Sequence, residues 1–390
     1  MSPPKPSPEL LRSLTDEHVL RELMRQRRLT RAELATATGM SKPAVGESVR
    51  RLAEAGFVAN TGERTVGGRG RGRVGSYYAL AASVGAALAV SIAPEGAVAE
   101  CVDAYGRTVS RAGGKIRGLA QPRQIGRALQ RVAVEALREA GTTARLAVVS
   151  AAGPVDRATG RLVRLPDEHF LLGELDPVGI LAPHVDGPVI VDNDVNWAAQ
   201  AERDSAPALS DFTYVFLGDG LGAAVISDGA VIRGHAGFAG EIAHLMTVGP
   251  RGQAMRLIDV FGALELRRPG STAIDADRLL AAATGAQPQA AAIRQILARA
   301  VGGVLAAAVA LADSGVVIIG GSWGCETVIL EAIAAEATRL PRPVPIRAAT
   351  LTDEPALIGA RTDALNRLRS RIVAAAPGRT APVPAHLRGS

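Results

Sequence analysis

The sequence predicts an α/β protein in two parts. A small helical module with a β-hairpin spans 13–80, and a larger α/β domain spans 81–375. Three observations predict this division. Helix caps and apolar stripes at helical spacing crowd the first part, whereas strands alternate with helices in the second. The charge is uneven as well. Residues 1–80 hold 14 Lys+Arg against 8 Asp+Glu, which accounts for the whole net charge of +6. Residues 81–390 hold 30 of each and are neutral. Finally, 390 residues correspond to about two to three domains.

Composition narrows the class. Hydrophobic residues make up 47% and charged residues 21%, with mean hydropathy +0.16, so the chain can bury a sizeable core. Aromatics are only 3%, and the core must be built from small aliphatic side chains. Two cysteines, Cys101 and Cys325, make neither a disulfide framework nor a four-cysteine zinc site, so a reducing cytoplasm is expected. The longest apolar stretches, Ala79–Ala93 and Val301–Ala312, fall short of a membrane span. Met1–Pro6 has no signal-peptide character, and residues 1–12 and 376–390 read as disordered tails.

In the first module, Leu14, Val19, Leu20 and Leu23 mark a helix running to about Arg27. Thr30 and Glu33 form a capping box for a second helix, with Leu34, Ala35 and Ala37 inward and Gly39 at its end. Ser41 caps a third helix with Pro43 in its first turn; Val45, Val49 and Leu52 are its buried stripe, and Gly56 ends it. Helix, glycine turn, helix is the spacing of a helix-turn-helix. Phe57-Val58 and Tyr77–Leu80 read as a hairpin, the wing. Between them, Arg69, Arg71 and Arg73 alternate with glycines and suit a narrow minor groove. Ser41 and the outward residues Lys42, Ala44, Glu47, Ser48, Arg50 and Arg51 are the candidate DNA-binding face. Glu47 or Ser48 would read bases; Lys42, Arg50 and Arg51 would hold phosphates of double-stranded DNA.

In the second part, strands are expected at 84–92, 96–102, 108–116, 144–149, 188–191, 213–217 and 316–319, with a helix at 124–140. No fixed-period repeat is visible. Several strands end in glycine or carboxylate clusters, where α/β sheets bind ligands. Gly153-Pro154-Val155-Asp156, Asp192-Asn193-Asp194, Gly218–Gly222, Gly237-Phe238-Ala239-Gly240-Glu241-Ile242-Ala243-His244 and Gly320-Gly321 follow in order.

That succession resembles the ROK family of repressors, open reading frames and sugar kinases. With the winged helix-turn-helix ahead of it, the chain looks like the family's regulators, such as xylose and N-acetylglucosamine repressors. The resemblance implies a two-lobed, actin-like domain (the sugar kinase/ribonuclease H-like fold) with sugar in the interlobe cleft. It makes Asp194 the match of the kinases' catalytic base. Asn193, Glu241 and His244 match sugar contacts, and Asp167 falls near another. Carboxylate, amide and imidazole suit a polyhydroxylated ligand.

Two departures from the family pattern stand out. Where the kinases carry an aspartate and paired glycines for phosphate, this chain has Ser91-Ile92-Ala93-Pro94, and Pro94 lacks an amide donor. Asp219 adds a negative charge to the second glycine loop. Where the family carries a cysteine cluster after the histidine, residues 245–259 hold none, so no structural zinc and no other cofactor is expected. Asp259 falls near the family's glutamate after that cluster.

The expectation is a sugar-responsive, non-enzymatic transcriptional regulator, a repressor, acting as a homodimer or homotetramer on an operator. Two rivals stay open: an active sugar kinase with a DNA-binding appendage, and a ligand-independent DNA-binding regulator with a vestigial sugar domain.

Overall fold

The computed structural model describes residues 7–65, 75–116, 121–165 and 174–377. The N-terminal module contains α1 (Pro8–Gln26), β1 (Arg28–Thr30), α2 (Arg31–Thr38), α3 (Lys42–Glu54), β2 (Val58–Arg64) and β3 (Ser76–Leu80). The capping box is present: Glu33 N–H donates to Thr30 Oγ1 (3.2 Å) and Thr30 N–H to Glu33 Oε2 (2.8 Å). Gly39 takes the left-handed turn at φ 69°, where a side chain would be strained. The wing strands pair as expected. The sequence reading missed β1, which joins β3 to make a three-stranded sheet of order β1-β3-β2.

Two expectations at this end need correction. Helix α1 begins at Pro8, capped by Ser7, so residues 8–12 are helix rather than tail. Leu14 is 40% exposed. The inward face of α1 is instead Ser13, Asp16, Val19, Leu20 and Leu23, a stripe that admits a buried carboxylate.

The ROK-like part consists of two lobes. The first contains β4 (Ala86–Ala93), β5 (Gly96–Asp103), β6 (Thr108–Lys115), α4 (Pro122–Ala140), β7 (Ala144–Ala151), α5 (Pro177–Leu181) and β8 (Val189–Asn193). Helix α6 (Asp194–Ser205) leads into the second, with β9 (Phe212–Leu217), β10 (Leu221–Ser227), β11 (Ala230–Ile232), β12 (Met246–Val248) and β13 (Ala254–Arg256). Then follow α7 (Leu257–Ala263), α8 (Ala276–Ala283), α9 (Pro288–Ala312), β14 (Val317–Gly320), α10 (Thr327–Ala337), β15 (Ile346–Ala348) and α11 (Pro355–Ala374).

The lobes share one topology. The first sheet runs β6-β5-β4-β7-β8 and the second β11-β10-β9-β14-β15. In each, three consecutive antiparallel strands are extended by two parallel ones. The repeat lies in pairing order, not in residue identity.

Helix α9 is long and apolar enough to cross a bilayer, with 25 residues and mean hydropathy 1.8. One side of it, through Leu297, Val301, Val304 and Leu305, is buried in the core of the second lobe with Ile319 and Trp323. Helix α11 crosses back from the second lobe and lies on β4 and β7 of the first. It passes α6 so closely that a Cβ on Gly359 would stand 2.0 Å from the Trp197 carbonyl oxygen. Ala376, read as the start of a tail, is buried beside Val373.

The module docks on the first lobe. Val19, Leu20 and Leu23 of α1 share one hydrophobic cluster with Leu80 and with Leu368 and Ile372 of α11. Leu80 N–H donates to Tyr105 Oη (3.0 Å), and Ser83 Oγ–H to the Gly56 carbonyl (2.6 Å).

Candidate functional site

The third helix of the module, α3, presents Ser41, Lys42, Ala44, Glu47 and Arg50 to solvent. Ser41 Oγ caps the helix by accepting from Ala44 N–H (3.3 Å). Arg50 is not an isolated cation. It bonds Glu47 (2.6 Å) and Glu54 (2.5 Å), and its hydrogen bond holds the Glu47 carboxyl below the ordinary range.

Ser48 and Arg51 are corrections. Ser48 is fully buried and donates to Asp16 Oδ1 (2.5 Å), so it faces α1 and not a base edge. Arg51 Nη2 bonds the same oxygen (2.6 Å) and is mostly buried. A hydroxyl and a guanidinium together satisfy a carboxylate that is 1% exposed, which is what burying that charge requires. Arg69, Arg71 and Arg73 lie outside the described residues.

The second site is a cleft of about 990 Å³ between the lobes. The β4–β5 turn, the end of β7, the start of α6, the β9–β10 turn and the start of α11 all contribute to its wall. Asn193, Asp194 and Glu241 line it together. Asn193 caps α6: its Oδ1 accepts from Val195 N–H (2.8 Å) while its Nδ2 donates to the Gly153 carbonyl (2.9 Å). That places Asp194 on the first turn of α6, partly buried and facing the cleft. Gly240 admits Glu241: a Cβ at Gly240 would stand 1.8 Å from the Ala223 oxygen, and its φ of +96° is strained for other residues.

His244 lies in the 3-10 turn Ile242–His244 and is not among the described residues that line the cleft. Asp167 lies outside the described residues.

Several residues of the site have no role assigned from the sequence. Asp192, buried below Asn193, accepts from Arg233 Nε (2.7 Å) and Asn196 Nδ2 (2.8 Å), clasping α6 to the segment after β11. Cys325, Tyr214 and Glu354 also face the cleft. Burial, then the nearby Glu202 charge, pushes the Tyr214 phenol up. Glu202 accepts from Leu351 N–H (2.7 Å), which anchors the crossover into α11. Glu354, at φ 45°, is bound by Arg111 of β6 (2.6 and 2.7 Å). Isolated acidic residues in a loop carry no sequence signal for such a role.

The nucleotide and zinc positions do not fit their groups. Ala93 ends β4 and Pro94 follows it in the β4–β5 turn, where a phosphate would need amide donors. Gly218–Gly220 forms the tight β9–β10 turn, closed by Gly218 N–H to the Gly220 carbonyl (3.1 Å), with Asp219 bonded to Arg268 (2.5 Å). After His244 the chain forms the β12–β13 hairpin instead of a thiolate site. Asp259 pairs with Arg256 (2.7 Å) and Arg267 (3.0 Å).

A ROK family model matches residues 120–256, and a winged helix-turn-helix DNA-binding model matches residues 12–59. The stretch that matches the ROK model thus follows the one that matches a winged helix-turn-helix. It is 44% identical over 59 residues to the xylose repressor of Caldicellulosiruptor bescii, 15% of each chain. It is 27% identical over 184 residues to the N-acetylmannosamine kinase of Salmonella typhi, 44% of this chain and 63% of that one. These matches span less than two thirds of the curated relatives.

Among solved structures, the ROK hexokinase of Thermus thermophilus aligns with TM-score 0.56 and 26% identity, over 73% of this chain and 99% of that one. A ROK family transcriptional regulator, a homolog of the E. coli MLC protein, aligns with TM-score 0.63 and 18% identity. It covers 93% of this chain and 99% of its own, so its likeness of fold includes the N-terminal module.

Proposed function

We propose that the chain is a sugar-responsive transcriptional repressor without kinase activity. One observation carries the reading. The DNA-binding module and α11 share a hydrophobic cluster, and the first turn of α11 lines the cleft. A ligand that binds the open and closed lobes with different affinity would tilt α11, and the module with it. Differential affinity is what such coupling requires. Asn193, Asp194 and Glu241 would hold the sugar hydroxyls, with Asp167 and His244 added by the family resemblance alone. Homodimers or homotetramers in the cytoplasm would set two α3 helices on half-sites about 34–36 Å apart.

Kinase relatives keep a second reading open, because Asp194 faces the cleft where a base would stand. The β4–β5 turn argues against it: Pro94 offers no amide to a phosphate.

The experiment is selection of bound fragments from sheared genomic DNA, followed by operator binding with and without a sugar panel. An inverted repeat released by one sugar supports the repressor. Sugar-dependent ADP release abolished by Asp194→Asn would replace it with a kinase. Operator binding that no sugar alters would leave a ligand-independent regulator.

A further inference from the structure

Glu354 opens α11 in an unusual way. Its backbone is left-handed, at φ 45° and ψ 44°. In no other α-helix among the described residues does the capping residue take this form. A residue other than glycine visits that region rarely, and Pro355, which follows, steers it toward extended backbone. Such a conformation persists only where its surroundings fix it.

Arg111 does the fixing. It donates to both oxygens of Glu354 (2.6 and 2.7 Å), so this carboxylate does not cap the helix it begins. Arg111 also pairs with Glu100, its cross-strand partner on β5, which is 2% exposed. Glu100 in turn accepts from Arg361 (3.2 Å), about two turns further along α11. Four charges thus clamp the start of α11 to β5 and β6 of the first lobe. Three residues before Glu354, Leu351 N–H is held by Glu202 of α6, the helix that begins with Asp194.

We infer that Glu354 and Arg111 are the positioning pair through which sugar binding reaches the DNA-binding module. Sugar favours the arrangement in which Arg111 holds Glu354, and the operator favours the one in which Glu354 is released. The inference rests on the sugar-responsive reading above and adds the residues that carry the response. Glu354 lines the cleft and Arg111 does not. A carboxylate offers about four acceptor sites, and Arg111 uses two of them. A sugar hydroxyl donates to the others without displacing the arginine, so Glu354 stays matched. Released, Glu354 returns to extended backbone, its carboxylate turns to the positive start of α11, and that acceptor leaves the cleft wall. The entry angle of α11 changes with it. Because α11 shares a hydrophobic cluster with Val19, Leu20 and Leu23, the module follows.

The test uses the full chain, its selected operator fragment and a panel of glucose, xylose, N-acetylglucosamine and N-acetylmannosamine. Operator affinity is measured with and without sugar, and sugar affinity by calorimetry, in wild type, Arg111→Met and Arg111→Lys. In Arg111→Met, Arg361 still matches the buried Glu100, so the fold keeps its counter-charge. Arg111→Met is expected to weaken sugar binding about fivefold, to bind the operator as tightly as wild type or more tightly, and to keep it at saturating sugar. Arg111→Lys, which can still bond Glu354 once, should regain part of the release. Full release of the operator from Arg111→Met at saturating sugar overturns the inference and leaves the repressor standing. So does a joint loss of sugar and operator affinity, which would make Arg111 a structural residue only. If no sugar in the panel moves the wild-type protein off its operator, the sugar-responsive reading itself fails and this inference falls with it.

Discussion

Ser48 Oγ donates a 2.5 Å hydrogen bond to Asp16 Oδ1, and that bond turns one residue of the reading helix inward onto α1. Arg51 bonds the same carboxylate at 2.6 Å, so α3 is oriented by Asp16. Asp16→Ala would leave a mostly buried guanidinium and a buried hydroxyl without their partner. The expected loss is about 2–4 kcal/mol in the transition that unfolds the module, read by urea titration. Ser48→Ala removes one bond and leaves the Arg51 pair, at about 1 kcal/mol. It should leave DNA sequence preference unchanged. A changed preference with unchanged stability would return Ser48 to the DNA face.

Lys42 and Arg50 differ in how freely they can meet a phosphate. Lys42 is exposed at the start of α3, whereas Arg50 is held between Glu47 and Glu54. Lys42→Ala should lower the slope of log affinity against log salt by about 0.9, the loss of one phosphate contact. Arg50→Ala should lower it by clearly less, because the arginine's charge is already matched. Neutralising Arg69, Arg71 and Arg73 together should flatten the slope by about two to three such steps if they enter the minor groove. Equal slopes for wild type and the triple variant would remove the wing from the interface.

The residues that were legible act over three or four positions of the chain. Thr30 with Glu33, Ser41 with Pro43, and Gly39 each define a helix end by local chemistry. The alternation of strands with glycine ends likewise located most of both sheets. What stayed hidden depends on contacts between distant residues. Strand β1 exists because Arg28–Thr30 meets Tyr77–Ala79 across the module. Ser48 points inward because Asp16 is there. Helices α8 to α10 are rich in alanine, whose small side chain marks no face, and only the apolar end of α9 stood out. Asn193, Asp194 and Glu241 were found through the family's motifs. Glu354 and Asp192 needed the fold, since each is defined by an arginine far away in sequence.

Arg233 is the cation that matches Asp192, whose other oxygen is occupied by Asn196. Arg233→Met removes the charge but keeps an apolar stem of similar length. The buried carboxylate would then lack a counter-charge, and about 2–4 kcal/mol of stability should be lost. Because the clasp holds the start of α6, the variant should also bind sugar more weakly. Arg233→Lys should recover part of the stability. Unaltered melting and binding in Arg233→Met would show that the clasp does not support the cleft.

Cys325 offers a reporter of cleft occupancy, with Cys101 as its internal control. Cys101 is fully buried within the first sheet, and burial pushes its thiol up to about 11. Cys325 lines the cleft, and burial, with the Glu202 charge adding to it, raises its thiol as well. The reactive species is the thiolate, so a raised value means slow alkylation near neutral pH and faster alkylation as the solution becomes alkaline. Iodoacetamide at about pH 7.5 should label Cys325 slowly and Cys101 hardly at all, with both labelling readily in guanidinium. Because burial raises the Cys325 thiol, its rate should go on climbing in alkaline solution beyond the pH at which a free thiol has levelled off. A bound sugar should slow Cys325 at every pH and leave Cys101 unaffected. A sugar that binds by calorimetry yet leaves the Cys325 rate unchanged must sit elsewhere, and the assignment of Asn193, Asp194 and Glu241 would fall with it.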